Sequence, residues 1–165
     1  MRFTVTGEHR KNPLLTTVIL LFLGYIALLW VSNALLFFRD MGLSYEAVVG
    51  YYLGDPERYT NPRTYSGMLE VAHFHMFSMG ILVMTLVHLM LFADLSQRAK
   101  IFWLWTPFIF AVANEAAGWM VRFVAPQFAY FKIITFLGLQ FGLGGVVLVT
   151  LHSLVKPAKK NGRSG

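Results

Sequence analysis

Residues 69–93 read LEVAHFHMFSMGILVMTLVHLMLFA, and these 25 positions decide the fold. One carboxylate stands near the start; the rest is apolar or small, apart from three histidines. At about 1.5 Å of rise per residue, a helix of this length covers the roughly 30 Å hydrocarbon core of a bilayer. Three more stretches of similar length and character follow the same rule: Leu14 to Phe38, Ile101 to Val124 and Phe128 to Val155. The expected fold is therefore all-α, an integral membrane four-helix bundle that forms a single transmembrane domain over residues 1–165.

Composition supports this. The chain is 56% hydrophobic and 13% charged, whereas soluble domains carry about 25% charged residues. That excludes disorder and argues against a soluble globule. The absence of cysteine excludes disulfides, thiolate metal sites, iron–sulfur clusters and thioether-attached haem. The net charge of +6 is not a nucleic-acid signal, because it sits at the ends of apolar runs, where membrane proteins place it. The first run is too long for a signal peptide and is followed by no small-residue cleavage site.

Lysine and arginine set the expected orientation. Nine of the fourteen lie at the N-terminus (Arg2, Arg10, Lys11), in the 94–100 loop (Arg98, Lys100) and in the basic tail 156–165 (Lys156, Lys159, Lys160, Arg163). The other five are Arg39, Arg58, Arg63, Arg122 and Lys132. The excess places both termini in the cytoplasm of a bacterial-type inner membrane. The outer loop, residues 39–67, should then hold a short interfacial helix capped by Ser44 and stopped by Gly54, with turns at Asp55-Pro56 and Asn61-Pro62. Its tyrosines, Tyr45, Tyr51 and Tyr52, suit a membrane–water boundary. It reads as a structural lid or as a docking surface for a periplasmic partner.

Four of the five histidines fall in predicted spans: His73, His75, His88 and His152. Ionisable groups inside a bilayer are costly and point to function. His73 and His88 are separated by about 22 Å of helical rise and about 60° of rotation, with Phe77, Gly80 and Met84 along the same stripe. His75 lies on another face, about 200° from His73. Two inward-facing imidazoles at opposite membrane surfaces suit two stacked haems, since neutral imidazole is a common axial ligand. The glycine between them would let a flat macrocycle approach the backbone. On the fourth span His152 shares the depth of His88, so the two could hold one iron from two sides. Gly138, Gly142, Gly144 and Gly145 thin that span, either for such a cofactor or for tight helix packing.

The outer half offers His73 and His75 with no partner histidine at their depth. The missing ligand would be a methionine, an unusual pairing or a residue of another chain. Alternatively, His73-Phe74-His75-Met76 could hold copper. Glu115, beside Asn114 in the third span, needs pairing or protonation. Arg122, seven residues on and on the same helix face, or a histidine could pair with it. Functionally, Glu115 reads as a proton acceptor at a quinol site or as a metal ligand with His73 or His75. Arg122 could instead neutralise a haem propionate. Pro107 should kink the third span. No phosphate-binding loop, soluble catalytic pair or internal repeat is present, and no nucleic-acid partner is expected.

Glu70-Val71-Ala72-His73-Phe74-His75, with His88 on the same helix and His152, resembles the small four-helix membrane cytochrome b subunits that pass electrons between a quinone pool and a partner oxidoreductase. The likeness covers architecture and histidine placement over about residues 14–155. It implies one or two b-type haems, held by His88 and His152 with His73 and His75 at the outer cofactor. Quinone, a larger membrane oxidoreductase complex and a periplasmic cytochrome-like protein are the implied partners. Two other readings compete with it: an outer-face copper or iron metalloprotein using His73, His75 and Glu115, and a cofactor-free structural subunit of a larger complex.

Overall fold

The computed structural model describes residues 12–155, and over them the chain is all-α. Four long helices, α1 (Pro13–Asp40), α3 (Tyr65–Met90), α4 (Gln97–Phe123) and α5 (Phe128–Val155), are joined by one short helix, α2 (Tyr45–Leu53). Three of them, α1, α3 and α5, combine the length and apolarity needed to cross a bilayer. The fourth, α4, is 27 residues long but more polar, carrying Asn114, Glu115 and Arg122. The basic N-terminal residues and the tail from Lys156 lie outside the described residues.

Capping sets the helix starts. The Asn12 side chain accepts from the Leu14 and Leu15 amides, with Pro13 in the first turn. Ser44, Thr64 and Ser96 accept from the amides three residues on, those of Ala47, Gly67 and Ala99, as N-caps do. Helices α3 and α4 therefore begin at Tyr65 and Gln97, four residues before the expected spans. Hydropathy marks where lipid contact begins, whereas the cap marks where the helix begins. The short helix is as expected: Ser44 opens it and Gly54 ends it at φ +85°.

Helix α5 is the centre of the bundle. Its most extensive pairing is with α4, and it also packs on α1, α3 and α2. Leu139, Leu143, Val146 and Val147 of α5 form the main core with Ile19, Leu23 and Ile26 of α1 and Val83, Leu86, Val87 and Met90 of α3. A second core at the α2 end joins Val48, Tyr52, Met68, Val121 and Ala129. The α5 glycines serve packing. A Cβ at Gly138 would meet the Phe110 ring, one at Gly145 the Trp103 ring, and one at Gly144 the Trp30 ring at 2.9 Å. Gly142 sits against the backbone of Pro107, with 3.1 Å from a Cβ there to the proline nitrogen, and α4 continues through that proline.

The outward faces are apolar. Leu21 and Leu28 of α1 are 70% and 72% exposed. Patches of this extent are covered in a folded assembly, here by lipid.

Candidate functional site at the α2 end of the bundle

Helices α3, α4 and α5 bring ionisable groups together at the α2 end. His75 of α3 faces Glu115 of α4, with His75 Nδ1 3.4 Å from Glu115 Oε2. The carboxylate side chain is 22% exposed and the imidazole 58%. Lys132, one turn into α5, is 6% exposed, and its Nζ donates to the Asn114 carbonyl at 2.8 Å. The Asn114 side-chain oxygen is buried without a hydrogen-bond partner among the described residues. Sequence reasoning placed Lys132 among the flanking charges. Its burial follows from the central position of α5, where it lies on the same face as Thr135, Phe136 and Leu139, all buried.

Helix α2 and the loop after it, the segment expected as a lid or docking surface, pack on α4 and α5 beside this group. Val48 is fully buried under α2, and the Tyr45 ring stacks on Tyr130 of α5 with centroids 5.1 Å apart. Past Gly54 the chain closes on itself through paired Asp55 and Thr60 backbones. It returns to α2 through the Arg63 amide, which donates to the Tyr52 carbonyl at 3.0 Å. The Arg63 guanidinium lies 4.1 Å over the Tyr51 ring. Arg122 Nε in turn donates to the Arg63 carbonyl at 2.7 Å. Arg122 thus clamps the lid to α4, while Glu115 is partnered by a histidine.

Tyr52 reaches α4 at Gly118, where a Cβ would stand 2.6 Å from the tyrosine hydroxyl and 3.0 Å from its Cζ. Burial pushes the phenol above its ordinary pKa, so it stays neutral. Gly118→Ala should destabilise the chain by about 1–3 kcal/mol through overpacking. Tyr52→Phe removes the closest atom and should recover much of that loss in the double variant. Thermal unfolding of the four combinations reads the coupling, and additive losses would show that the two residues act independently.

Under the lid lies a cavity of about 1350 Å³. His75, Glu115, Lys132 and Tyr51 line it together with apolar Val71 and Phe136. Among the described residues, six of the seven acidic side chains line this cavity, with four of the seven lysines and arginines. Two of these carboxylates are paired, Asp40 with Arg39 and Asp55 with Arg58, and the lining keeps an excess of acidic groups.

The remaining histidines stand elsewhere. His73 is exposed on α3, its ring 5.9 Å edge-on from that of Phe74. It is not among the residues that line the cavity with His75, in keeping with the different helix faces their spacing requires. Among the described residues, no group of three or more His, Cys, Asp or Glu gathers as a metal site. His88 is exposed, 5.5 Å from the Phe92 ring, and His152 is exposed on α5. The inner faces between them are filled by Val83, Leu86, Val87 and Met90 against Leu143, Val146 and Val147. The structure brings His75 and Glu115 together; it shows no contact between His88 and His152. The stripe His73–Phe77–Gly80–Met84–His88, expected to face inward, is exposed along its length. The aliphatic stripe of α3 takes the core because its burial carries no polar desolvation cost.

A profile of the Aq_1264_TM family, described as a transmembrane helical domain, matches residues 42–161. The match begins just after α1 and takes in α2, α3, α4 and α5. No curated protein and no solved structure matches the chain.

Proposed function

The chain belongs to this family of transmembrane helical domains, and we propose that it is a membrane-embedded electron-transfer subunit that oxidises quinol at the cavity under α2. The observation that carries this reading is the His75–Glu115 pair, 3.4 Å apart on the wall of that cavity. A carboxylate and an imidazole in contact can accept a proton from a bound hydroxyl and pass it on. The acidic chamber above offers the route to water. The apolar lining from Val71 and Phe136 suits the ring of a quinone, and small-molecule sites combine such walls with a few polar groups.

Oxidation of one quinol breaks two O–H bonds and releases two protons and two electrons. The protons go one at a time to the Glu115–His75 pair and then to water at the cavity mouth. The two electrons would pass to a partner redox protein, and a b-type haem, which the exposed imidazoles His73, His88 or His152 would hold, would supply the one-electron chemistry. The acidic chamber suits a partner with a basic docking face, such as a periplasmic cytochrome-like protein.

Photolysis of an azido-quinone in membranes containing the chain tests the substrate site. Labelling of the peptides that carry Tyr51, Val71 or Glu115, suppressed by excess quinone, is the expected result. Labelling confined to the lipid-facing surface of α1 would overturn the assignment.

A further inference from the structure

The cavity under α2 reaches down among the long helices. His75 stands ten residues into α3, and Asn33 stands seven residues before the end of α1. At about 1.5 Å per residue these positions are roughly 15 Å and 10 Å in from the helix ends. Helix α3 has 26 residues, so it exceeds the roughly 30 Å hydrocarbon core by about 5 Å at each end. The deep end of the cavity therefore lies at the level of the acyl chains.

Its walls are not equally closed. Between α1 and α5 the rings of Phe37 and Phe136 stack with centroids 3.5 Å apart. Between α3 and α4 the His75–Glu115 contact closes the wall. Helices α1 and α3, in contrast, pack on α5 rather than closely on each other. Leu36 of α1 and Val71 of α3 line the cavity on these two helices and are 49% and 51% exposed. A wall sealed by helix packing would bury such apolar side chains, as it buries Met68 nearby. The cavity volume of about 1350 Å³ also exceeds the roughly 300–1,000 Å³ of ordinary small-molecule pockets, leaving room for part of a chain beside a ring.

We propose that the cavity opens sideways into the bilayer between α1 and α3, and that its ligand is a long-tailed amphiphile drawn from the membrane. The polar head lies at His75 and Glu115, and the hydrocarbon tail leaves past Leu36 and Val71 into lipid. This rests on the quinol reading for the identity of the head group and is independent of any haem. A water-soluble substrate would need no such opening, because the cavity also meets water at the α2 end.

Two photoreactive long-tailed quinones test the route in membranes containing the chain, one with an azide on the ring and one with a diazirine on the tail close to the ring. Labelling that excess unlabelled quinone suppresses is the specific signal. The ring probe should label the peptide of Glu115, and the tail probe the peptides of Leu36 and Val71. Leu36→Trp and Val71→Trp should each raise the concentration of long-tailed quinone needed for half-suppression by about tenfold or more, through crowding of the opening. A short-tailed quinone should be affected far less. Val18→Trp, at an exposed position of α1 outside the cavity lining, should change neither. Suppressible tail labelling in the 56–63 turn or nowhere, or equal effects of the tryptophans on both quinones, would overturn the sideways route while leaving the substrate site standing. Absence of suppressible labelling by either probe would overturn both.

Discussion

Glu115→Gln should slow quinol-driven haem reduction by about 100-fold or more, the range expected when a positioned proton acceptor is removed. The substitution preserves length and shape, so the contact with His75 across 3.4 Å remains possible. What is lost is basicity, because an amide does not take up a proton at neutral pH. Quinol binding should change little, since the walls of the cavity are untouched; the loss belongs in kcat rather than KM. Haem content should be unchanged, as Glu115 stands on α4 and the exposed imidazoles stand on α3 and α5. His75→Asn should act in the same direction and, combined with Glu115→Gln, add little, because the two groups work as one unit. A purely structural pair would behave otherwise, with both variants losing fold stability and haem together and the surviving fraction reduced at the normal rate. Stopped-flow spectra of the purified variants separate the two outcomes.

The largest structural effect is expected at Gly54. It ends α2 at φ +85°, and a Cβ there would stand 2.7 Å from the Thr60 carbonyl oxygen and 2.9 Å from the Pro62 nitrogen. Both are main-chain atoms in the turn that closes the lid, so no side-chain rotation relieves the clash. The left-handed backbone and the overpacking together should cost about 2–4 kcal/mol. That loss should open the lid where Arg63 returns to Tyr52 and Arg122 clamps the Arg63 carbonyl. Trypsin cleavage after Arg58 should accelerate by roughly 30-fold or more in Gly54→Ala, since about 1.4 kcal/mol is tenfold in an opening equilibrium. Gly42 is the internal comparison. It also has positive φ, at +69°, but a Cβ there meets nothing within 4 Å, so Gly42→Ala should show only the smaller backbone cost. Equal effects at the two glycines would mean that the turn is not closed as described.

Much of this architecture was legible in the sequence because it follows from local chemistry. Ser44 and Gly54 bound α2 by capping rules that need no tertiary context. The apolar runs located the long helices, and the four-residue offset at Tyr65 and Gln97 reflects caps placed upstream of the lipid boundary. Glu115 stood out because a carboxylate in a span demands a partner. Which partner it takes was not legible, since His75 and Arg122 are both within reach. The choice depends on the lid, whose Arg63 carbonyl engages Arg122.

Two features depended on packing that periodicity does not encode. Spacing showed that His73 and His88 share a face of α3, but not which face turns inward. In a helix apolar nearly all round, that is decided by the fit of Val83, Leu86, Val87 and Met90 to α1 and α5. Lys132 is buried for a related reason. It sits at the start of α5, where a cation usually marks the membrane boundary, yet this face of α5 packs against the other helices. Its Nζ finds the Asn114 carbonyl there. The α5 glycines are filled by Phe110, Trp103 and Trp30, so their spacing records helix–helix contact.

The most direct test is a visible difference spectrum of the detergent-purified chain with quinol as the only reductant, quantified by pyridine haemochrome. The expected result is a b-type haem that quinol reduces in the wild type and reduces far more slowly in Glu115→Gln. A folded chain without haem, or a haem that dithionite reduces but quinol does not, would contradict it.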